Sequence, residues 1–205
     1  MNEEKDIVIT SATRTAVGSI GKSLKNIPGD ELGSAVISEA IKRSKINKDD
    51  VDEVIMGQVL TGGTGQNPAR QAAYRSGIPK EKPAYVVNQV CGSGIRSIAS
   101  GFQSVKSGDS KIVVAGGQES MSMAPHAIHI RDGKKLGDAE IVDTMIKDGL
   151  WDAFHGYHMG ITAENVATKF QITRDEQDKF ALSSQEKALK ALKEKKFKDE
   201  IVNFK

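Results

Sequence analysis

The chain of 205 residues lacks the features that mark several classes of protein. Its single cysteine, Cys91, excludes a disulfide within the chain, which fits a reducing compartment, so we expect a cytoplasmic protein. Its 29 basic and 27 acidic residues give a net charge of +2, which creates no strong field for nucleic acid or anionic lipid. No apolar run reaches membrane-spanning length, and the first residues do not resemble a secretory signal. We therefore expect neither a nucleic-acid partner nor a membrane.

The sequence alternates between strand-like and helix-like segments. The β-branched run at 7–10 predicts a first strand, and Asp30 is the expected N-cap of the helix that follows. Further strands are predicted within 51–60, 84–90 and 111–117, and helices within 67–77 and 94–107 lie between them. This alternation predicts an α/β fold with a mostly parallel sheet covered by helices.

The character of the sequence changes near residue 120. Residues 121–160 are rich in glycine, histidine and methionine and show no clear strand, so we expect one unit over 1–120 and the start of a second over 121–205. Further on, Thr173 and Glu176 are spaced as a capping box. The helix after them is expected to turn a stripe inward, formed by Phe180, Ala181, Ser184, Ala188 and Leu192. The lysines between 187 and 198 alternate with acids, which indicates a solvated face.

Cys91 lies between a predicted strand and a predicted helix, and the sequence Gly-Ser-Gly follows it directly. One face of this helix is apolar at core spacing, and the opposite face has only small side chains, which let another backbone approach closely. The apolar face consists of Ile95, Ile98, Ala99, Phe102 and Val105, and the small face of Gly94, Ser97, Gly101, Ser104 and Gly108. We expect this helix to be packed on both sides.

The position before the first turn of a helix places the Cys91 thiol beside free backbone N–H groups. These groups, including the N–H of Cys91 itself, suit the oxyanion of a thioester under attack. A cysteine is only a few per cent thiolate at neutral pH, so a nucleophile here also needs a base nearby. The competing interpretation is a buried structural cysteine, which is the usual role of a lone thiol. The Gly-Ser-Gly sequence at a strand-to-helix turn favours the nucleophile.

Two other groups of residues suggest ligands. Residues 62–70 are rich in glycine but lack the spacing of a dinucleotide motif, so we interpret them as a loop. The histidines form two pairs, His126 with His129 and His155 with His158, and no cysteine or defined acid completes a ligand pattern. We therefore expect no metal and no cofactor. With the nearby methionines, this segment suits the wall of a tunnel for a slender, flexible substrate.

Four long motifs support an assignment to a family: NQVCGSG, VVAGGQESMSMAPH, DTMIKDGLWDAFHGYHMGITAEN and RDEQDKFALSSQEKA. Together they resemble the N-terminal half of the thiolases, in particular the acetyl-CoA acetyltransferase type. The resemblance implies one of the two duplicated α/β halves of the thiolase fold, plus part of an inserted loop domain. It implies that Cys91 accepts an acetyl group, that Leu150, His158 and Met159 line the pantetheine tunnel, and that residues 124–135 join dimers into a tetramer.

The implied reaction is the reversible condensation of two acetyl-CoA molecules to acetoacetyl-CoA and coenzyme A. Thiolases are considerably longer than this chain, and their second half contributes the catalytic histidine, a water-holding asparagine and a second cysteine. We therefore expect the chain alone to be nearly inactive and to need a complementary C-terminal half. The alternatives are a non-catalytic piece that acts in assembly, through an uncovered face of the helix at 94–107, and a condensing enzyme that uses acyl-carrier thioesters.

Overall fold

The computed structural model describes residues 6–204, which contain five α-helices and two β-sheets. The helices are α1 (Gly29–Ser44), α2 (Pro68–Arg75), α3 (Ser93–Ser107), α4 (Met159–Phe170) and α5 (Arg174–Lys193). The strands are β1 (Glu53–Gly57), β2 (Ala84–Val87), β3 (Val113–Gly117), β4 (His126–Ala127) and β5 (Val142–Asp143). Short 3-10 turns cover Lys48–Asp50 and Met121–Met123, and a π-helix covers Met145–Leu150.

The larger sheet is parallel, with the strand order β2-β1-β3. In its central strand, Val54 pairs with Ala84 of β2 and with Val114 of β3. Parallel neighbours need crossover connections, and α2 and α3 provide them here. Strands β4 and β5 form a separate antiparallel pair. The predicted α/β fold, with a mostly parallel sheet covered by helices, is confirmed.

Helices cover both faces of the central strand β1, and four of its five residues are buried. Val54 and Met56 join Ile37 of α1 and Ala72 of α2 in the main core. Alternate residues of a strand point to opposite faces, so Gly57 lies on the other face, where it meets the start of α3. The sheet therefore fixes the position of the segment that contains Cys91.

Helix α3 packs on the sheet through its small side chains. Ser97 and Gly101 are buried, and the Ser97 hydroxyl reaches the carbonyl oxygens of Gly94 and Gly116, at 2.7 and 2.6 Å. The apolar face points away from the sheet, and Ile95 is 78% exposed and Phe102 48% exposed. The close approach on the small face is confirmed. The expectation that α3 is packed on both sides is wrong for the described residues, in which only the sheet covers it.

Two sequence predictions near the N-terminus are wrong. The run at 7–10 forms no strand, because no strand among residues 6–204 pairs with it, and Val8 and Ile9 are exposed. Asp30 lies in the first turn of α1 and is not its N-cap, a position that Pro28 occupies. Its carboxylate is buried and pairs with Arg75 of α2 at 2.6 Å. Asp30 therefore joins two helices instead of ending one.

The predictions for α5 have mixed outcomes. The capping box is confirmed, because the Thr173 hydroxyl accepts the Glu176 N–H and the Glu176 carboxylate accepts the Thr173 N–H. The inward stripe is wrong for its largest members, because Phe180 and Leu192 are both more than half exposed. Periodicity predicts which side chains share a face of a helix, but it does not supply a layer of protein to cover that face.

The division of the chain near residue 120 stays a prediction. Beyond α5 the chain returns to the segment before α1, where the Arg14 N–H donates to the Glu200 carbonyl at 2.9 Å. The Val202 N–H donates in turn to the Arg14 carbonyl at 2.7 Å, and the Arg14 guanidinium lies over the Phe197 ring. The segment that follows α5 is thus anchored beside residue 14.

Substitution of Gly57 tests the close approach of α3 to the sheet. A Cβ atom added there would lie 2.4 Å from the Ser93 carbonyl carbon and 2.6 Å from the Gly94 nitrogen, and both are backbone atoms. We expect Gly57→Ala to lower the free energy of unfolding by about 1–3 kcal/mol or more, measured by chemical denaturation. Gly116→Ala is the matched control, because its Cβ would meet only the flexible end of the Met56 side chain, at 3.9–4.0 Å, among the described residues. Equal stability losses in the two variants would contradict this packing.

Candidate active site

Polar side chains gather where the three parallel strands end. Gln58 follows β1, and Gln118 and Glu119 follow β3, so all three lie at the carboxyl edge of the sheet. The Gln118 side-chain amide donates to Gln58 Oε1 at 2.9 Å, and both side chains are buried. The Glu119 carboxylate accepts the N–H of Val59 at 2.8 Å. This network fixes the segments on either side of the turn that leaves β2.

Cys91 is exposed and lies in the turn between β2 and α3. The turn is closed by two backbone hydrogen bonds, from the Gly92 N–H to the Gln89 carbonyl at 3.0 Å and from the Ser93 N–H to the Val90 carbonyl at 3.1 Å. Helix α3 begins at Ser93, with Gly92 as its N-cap residue. The predicted position of the thiol, just before the first turn of this helix, is confirmed.

The amide of Cys91 differs from its neighbours in the turn. The N–H groups of Gln89, Val90, Gly92 and Ser93 each have an acceptor within residues 88–93. No described residue accepts the N–H of Cys91, nor those of Gly94 and Ile95 in the first turn of α3. The turn thus presents an exposed thiol next to unpaired N–H donors, and donors of this kind can bind an oxyanion.

Val90, directly before the cysteine, has a strained backbone. Its φ is 48°, in the left-handed region that β-branched residues rarely adopt. Four other non-glycine residues in the described part of the chain have positive φ, and none of them is β-branched. Backbone strain of this kind persists only where the surroundings enforce it, and it is common at functional sites.

The three residues assigned to the tunnel lie close together within residues 150–159. Trp151 and His158 form an antiparallel bridge, which brings Leu150 before it near Met159 after it. His158 is the N-cap of α4, and its Nδ1 accepts the Gly160 N–H at 3.0 Å. No hydrogen bond joins any of them to Cys91 among residues 6–204. Their role in substrate binding stays a prediction.

The histidine pairs make local contacts. His155 Nδ1 lies 3.2 Å from Asp152 Oδ1, and its ring stacks on Tyr157. His126 Nε2 lies 4.0 Å from Asp143 Oδ2 across the β4–β5 pair. Within residues 6–204, no group of three or more His, Cys, Asp or Glu side chains is arranged to hold a metal ion. No helix in this range has both the length and the apolar character needed to cross a membrane.

Sequence reasoning missed the residues that shape the turn. Ser93 is 4% exposed and bonds backbone atoms on the far side of Cys91, and Gly57 provides the space in which Ser93 sits. The glycine at the end of β1 was a possible signal, since glycine in a strand often marks a close backbone approach. Nothing in the sequence predicts the conformation of Val90, because valine favours extended backbone.

The partly buried carboxyl of Glu119 predicts a pH dependence of stability. Burial raises the pKa of Glu119 above its usual value of 4.5, against the opposing effect of the Val59 and Leu60 N–H groups. The folded state then binds the proton more tightly than the unfolded chain, so stability falls as the pH rises through the window just above 4.5. We expect Glu119→Gln, which keeps an acceptor oxygen for Val59, to remove this fall in urea denaturation across that range.

Asp52 provides a control of opposite sign. The Lys111 and Ile112 N–H groups lower the pKa of Asp52 below 3.8, so its contribution is present above that pH and is lost as the pH falls. Asp52→Asn should therefore change stability at neutral pH and lose its effect in acid. If the difference in stability between wild type and Glu119→Gln does not vary with pH, burial does not raise the pKa of Glu119 as we infer.

Comparison with known proteins agrees with this architecture. The family described as Thiolase, N-terminal domain, matches residues 7–205. An acetyl-CoA acetyltransferase of Rhizobium meliloti is 60% identical over 198 residues, which cover 97% of this chain and 50% of that protein. An acetyl-CoA acetyltransferase of Shinella zoogloeoides is 58% identical over 97% of this chain and 50% of that protein. The cytosolic acetyl-CoA acetyltransferase of Rattus norvegicus is 51% identical over 98% of this chain and 51% of that protein.

The chain spans about half the length of the curated relatives it matches. The matched region includes the parallel sheet, the turn with Cys91 and the segment with Leu150, His158 and Met159. Both the extent of the match and the α/β architecture lead to one conclusion: the chain belongs to the thiolase family and matches the N-terminal domain of that family.

Proposed function

We propose that this chain contributes the nucleophile of a thiolase-type acyl transfer, in which Cys91 holds an acetyl group as a thioester. The observation that supports this best is the combination of an exposed thiol and an unpaired N–H on the same residue. The names of the relatives, acetyl-CoA acetyltransferase, support acetyl-CoA as the donor. The substrates are then coenzyme A thioesters, with no further cofactor.

In the first step, the Cys91 sulfur attacks the carbonyl carbon of acetyl-CoA. The new C–S bond forms as the bond to coenzyme A breaks, and the thiol proton leaves with coenzyme A. The N–H of Cys91 donates to the carbonyl oxygen while that oxygen becomes negatively charged, which lowers the barrier. Leu150, His158 and Met159 are proposed to line the path of the pantetheine arm.

In the second step, a carbanion formed at the methyl group of another acetyl-CoA attacks the acetyl-Cys91 carbonyl. Acetoacetyl-CoA forms, the C–S bond to Cys91 breaks, and the proton taken from the methyl group returns to the sulfur. Both steps need a base, and no carboxylate or imidazole bonds the Cys91 sulfur among residues 6–204. We propose that a complementary C-terminal half of the thiolase fold provides it.

We propose further that the assembled enzyme is a cytoplasmic homotetramer. The name of the rat relative includes the word cytosolic, which supports the compartment. The resemblance implies that residues 124–135 form the tetramer loop, and the exposure of strand β4 within them supports this. An acyl-carrier thioester in place of coenzyme A is a weaker alternative, and a panel of both thioesters separates the two.

Labelling of the single cysteine tests the proposed nucleophile. We expect incubation of the chain with acetyl-CoA to place one acetyl group on Cys91, detected by intact mass and peptide mapping. Turnover to acetoacetyl-CoA should be at least about a hundredfold lower for the chain alone than for the chain mixed with a thiolase C-terminal half, because the base is then missing. Cys91→Ser is the control, and full turnover by that variant would refute the proposal.

A second candidate function, in assembly, is favoured by the exposed apolar face of α3. Ile95, Ile98 and Phe102 lie on the side that faces away from the sheet and are each about half exposed or more. An apolar patch of this kind on a folded chain is typical of an interaction surface. The proposed occupant is the complementary half, so the catalytic and assembly functions are compatible.

Charge substitution on this face tests the assembly function. We expect the chain to self-associate in sedimentation and to bind an apolar dye, and Phe102→Glu to reduce both, because a charge there opposes burial. Tyr74→Glu is the matched control, since Tyr74 is an exposed aromatic residue on α2. A wild-type chain that is monomeric and binds no dye would rule this function out.

A further inference from the structure

The strained residue Val90 and the open amide of Cys91 are neighbours, and one buried side chain links them. We propose that Ser93 is a positioning residue for the acyl transfer. Its hydroxyl holds Val90 in the left-handed conformation, which keeps the Cys91 N–H free of any acceptor within the turn. This inference rests on the proposed function only in taking the Cys91 sulfur as the atom that is acylated.

The Ser93 hydroxyl spans the whole turn. It accepts the N–H of Gln89 at 2.9 Å and donates to the carbonyl of Val90 at 2.6 Å, so it binds both residues before Cys91 from a position after it. Asn88 holds the other side, because its Oδ1 accepts the Val90 N–H at 2.9 Å. Both polar groups of the Val90 backbone are therefore bound while its φ is 48°.

The position of Ser93 is itself fixed by the sheet. Ser93 is 4% exposed, and its carbonyl carbon lies against the Cα of Gly57, where even a Cβ atom would not fit. Neighbouring Gly94 lies against Gly117 of β3, where an added Cβ would be 3.4 Å from the Gly94 Cα. The hydroxyl thus acts from a rigid support, as a positioning group must.

Without the hydroxyl, only Asn88 Oδ1 and the Ser93 N–H still bind the Val90 backbone, at 2.9 and 3.1 Å. Valine prefers extended backbone by a clear margin, and relaxation of Val90 would turn the following peptide group, which contains the N–H of Cys91. The sulfur would remain exposed and chemically competent. Loss of the Ser93 hydroxyl should therefore slow reactions of Cys91 that build negative charge on a carbonyl oxygen. The rates of reactions that build no such charge should stay nearly unchanged.

Two reagents separate these classes of reaction on the full chain. Iodoacetamide alkylates a thiolate by displacement and forms no oxyanion, whereas p-nitrophenyl acetate acylates it through one. The readouts are the rates of alkylation and acetylation of the Cys91 peptide, the only cysteine peptide in the chain, each corrected for the Cys91→Ala background. Acetyl-CoA is a third donor, which tests coenzyme A recognition and hence the proposed function separately.

We expect Ser93→Ala to lower the rate of acetylation by p-nitrophenyl acetate about 10- to 100-fold and to leave alkylation nearly unchanged, because a misdirected donor loses part of the effect of an oxyanion donor. Ser97→Ala is the matched control, since it removes a buried hydroxyl with two carbonyl partners one turn further along α3. That variant should keep the wild-type ratio of the two rates.

The double variant Val90→Gly with Ser93→Ala tests the link to Val90. Glycine adopts positive φ readily, so the double variant should recover much of the acetylation rate that Ser93→Ala loses, an outcome that general loosening of the fold would not produce. The inference is overturned if Ser93→Ala keeps the wild-type ratio of acetylation to alkylation, or if its two rates fall together. It is also overturned if the double variant recovers no acetylation, or if p-nitrophenyl acetate does not acetylate the wild-type chain. Acetylation by p-nitrophenyl acetate without any by acetyl-CoA would refute the proposed function and leave this inference standing.

Discussion

The backbone of α3 touches the backbone of β1 at Gly57, and this contact sets the geometry of everything around Cys91. The Ser93 and Gly94 peptide atoms occupy the space that any side chain at position 57 would need. Because the helix begins there, its N-terminus is held at the carboxyl edge of the sheet and cannot withdraw from it. The turn before the helix connects β2 to this fixed point through residues 88–92, and the strained Val90 lies within it.

The same contact explains which face of α3 is buried. A helix that lies this close to a sheet can present only small side chains to it, so Ser97 and Gly101 face inward. The large apolar side chains are directed to the opposite side, where Ile95 and Phe102 are exposed. Hydrophobicity alone would have placed these residues in the core. Close backbone packing decided otherwise.

Hydrogen bonding around the turn is selective. The Ser93 hydroxyl, the Asn88 amide and two backbone carbonyls satisfy the N–H groups on both sides of Cys91, and the N–H of Cys91 itself stays open. The side chains of Gln58, Gln118 and Glu119 hold the ends of β1 and β3 nearby. An oxyanion donor is effective when it is fixed before the reaction, and this network supplies that rigidity.

The sequence alone determined the α/β class, the parallel strands, the bounds of α2 and α3 to within a residue or two, the capping box of α5 and the place of Cys91 before a helix. These follow from local patterns, in which period, capping residues and turn glycines act over a few neighbours. Only the tertiary structure decided that Asp30 pairs with Arg75, that residues 7–10 remain unpaired, and that Phe180 is exposed. It alone placed Ser93 behind Cys91 and gave Val90 a positive φ. Each of these depends on a partner distant in sequence or on a steric limit between two backbones, which no local pattern contains.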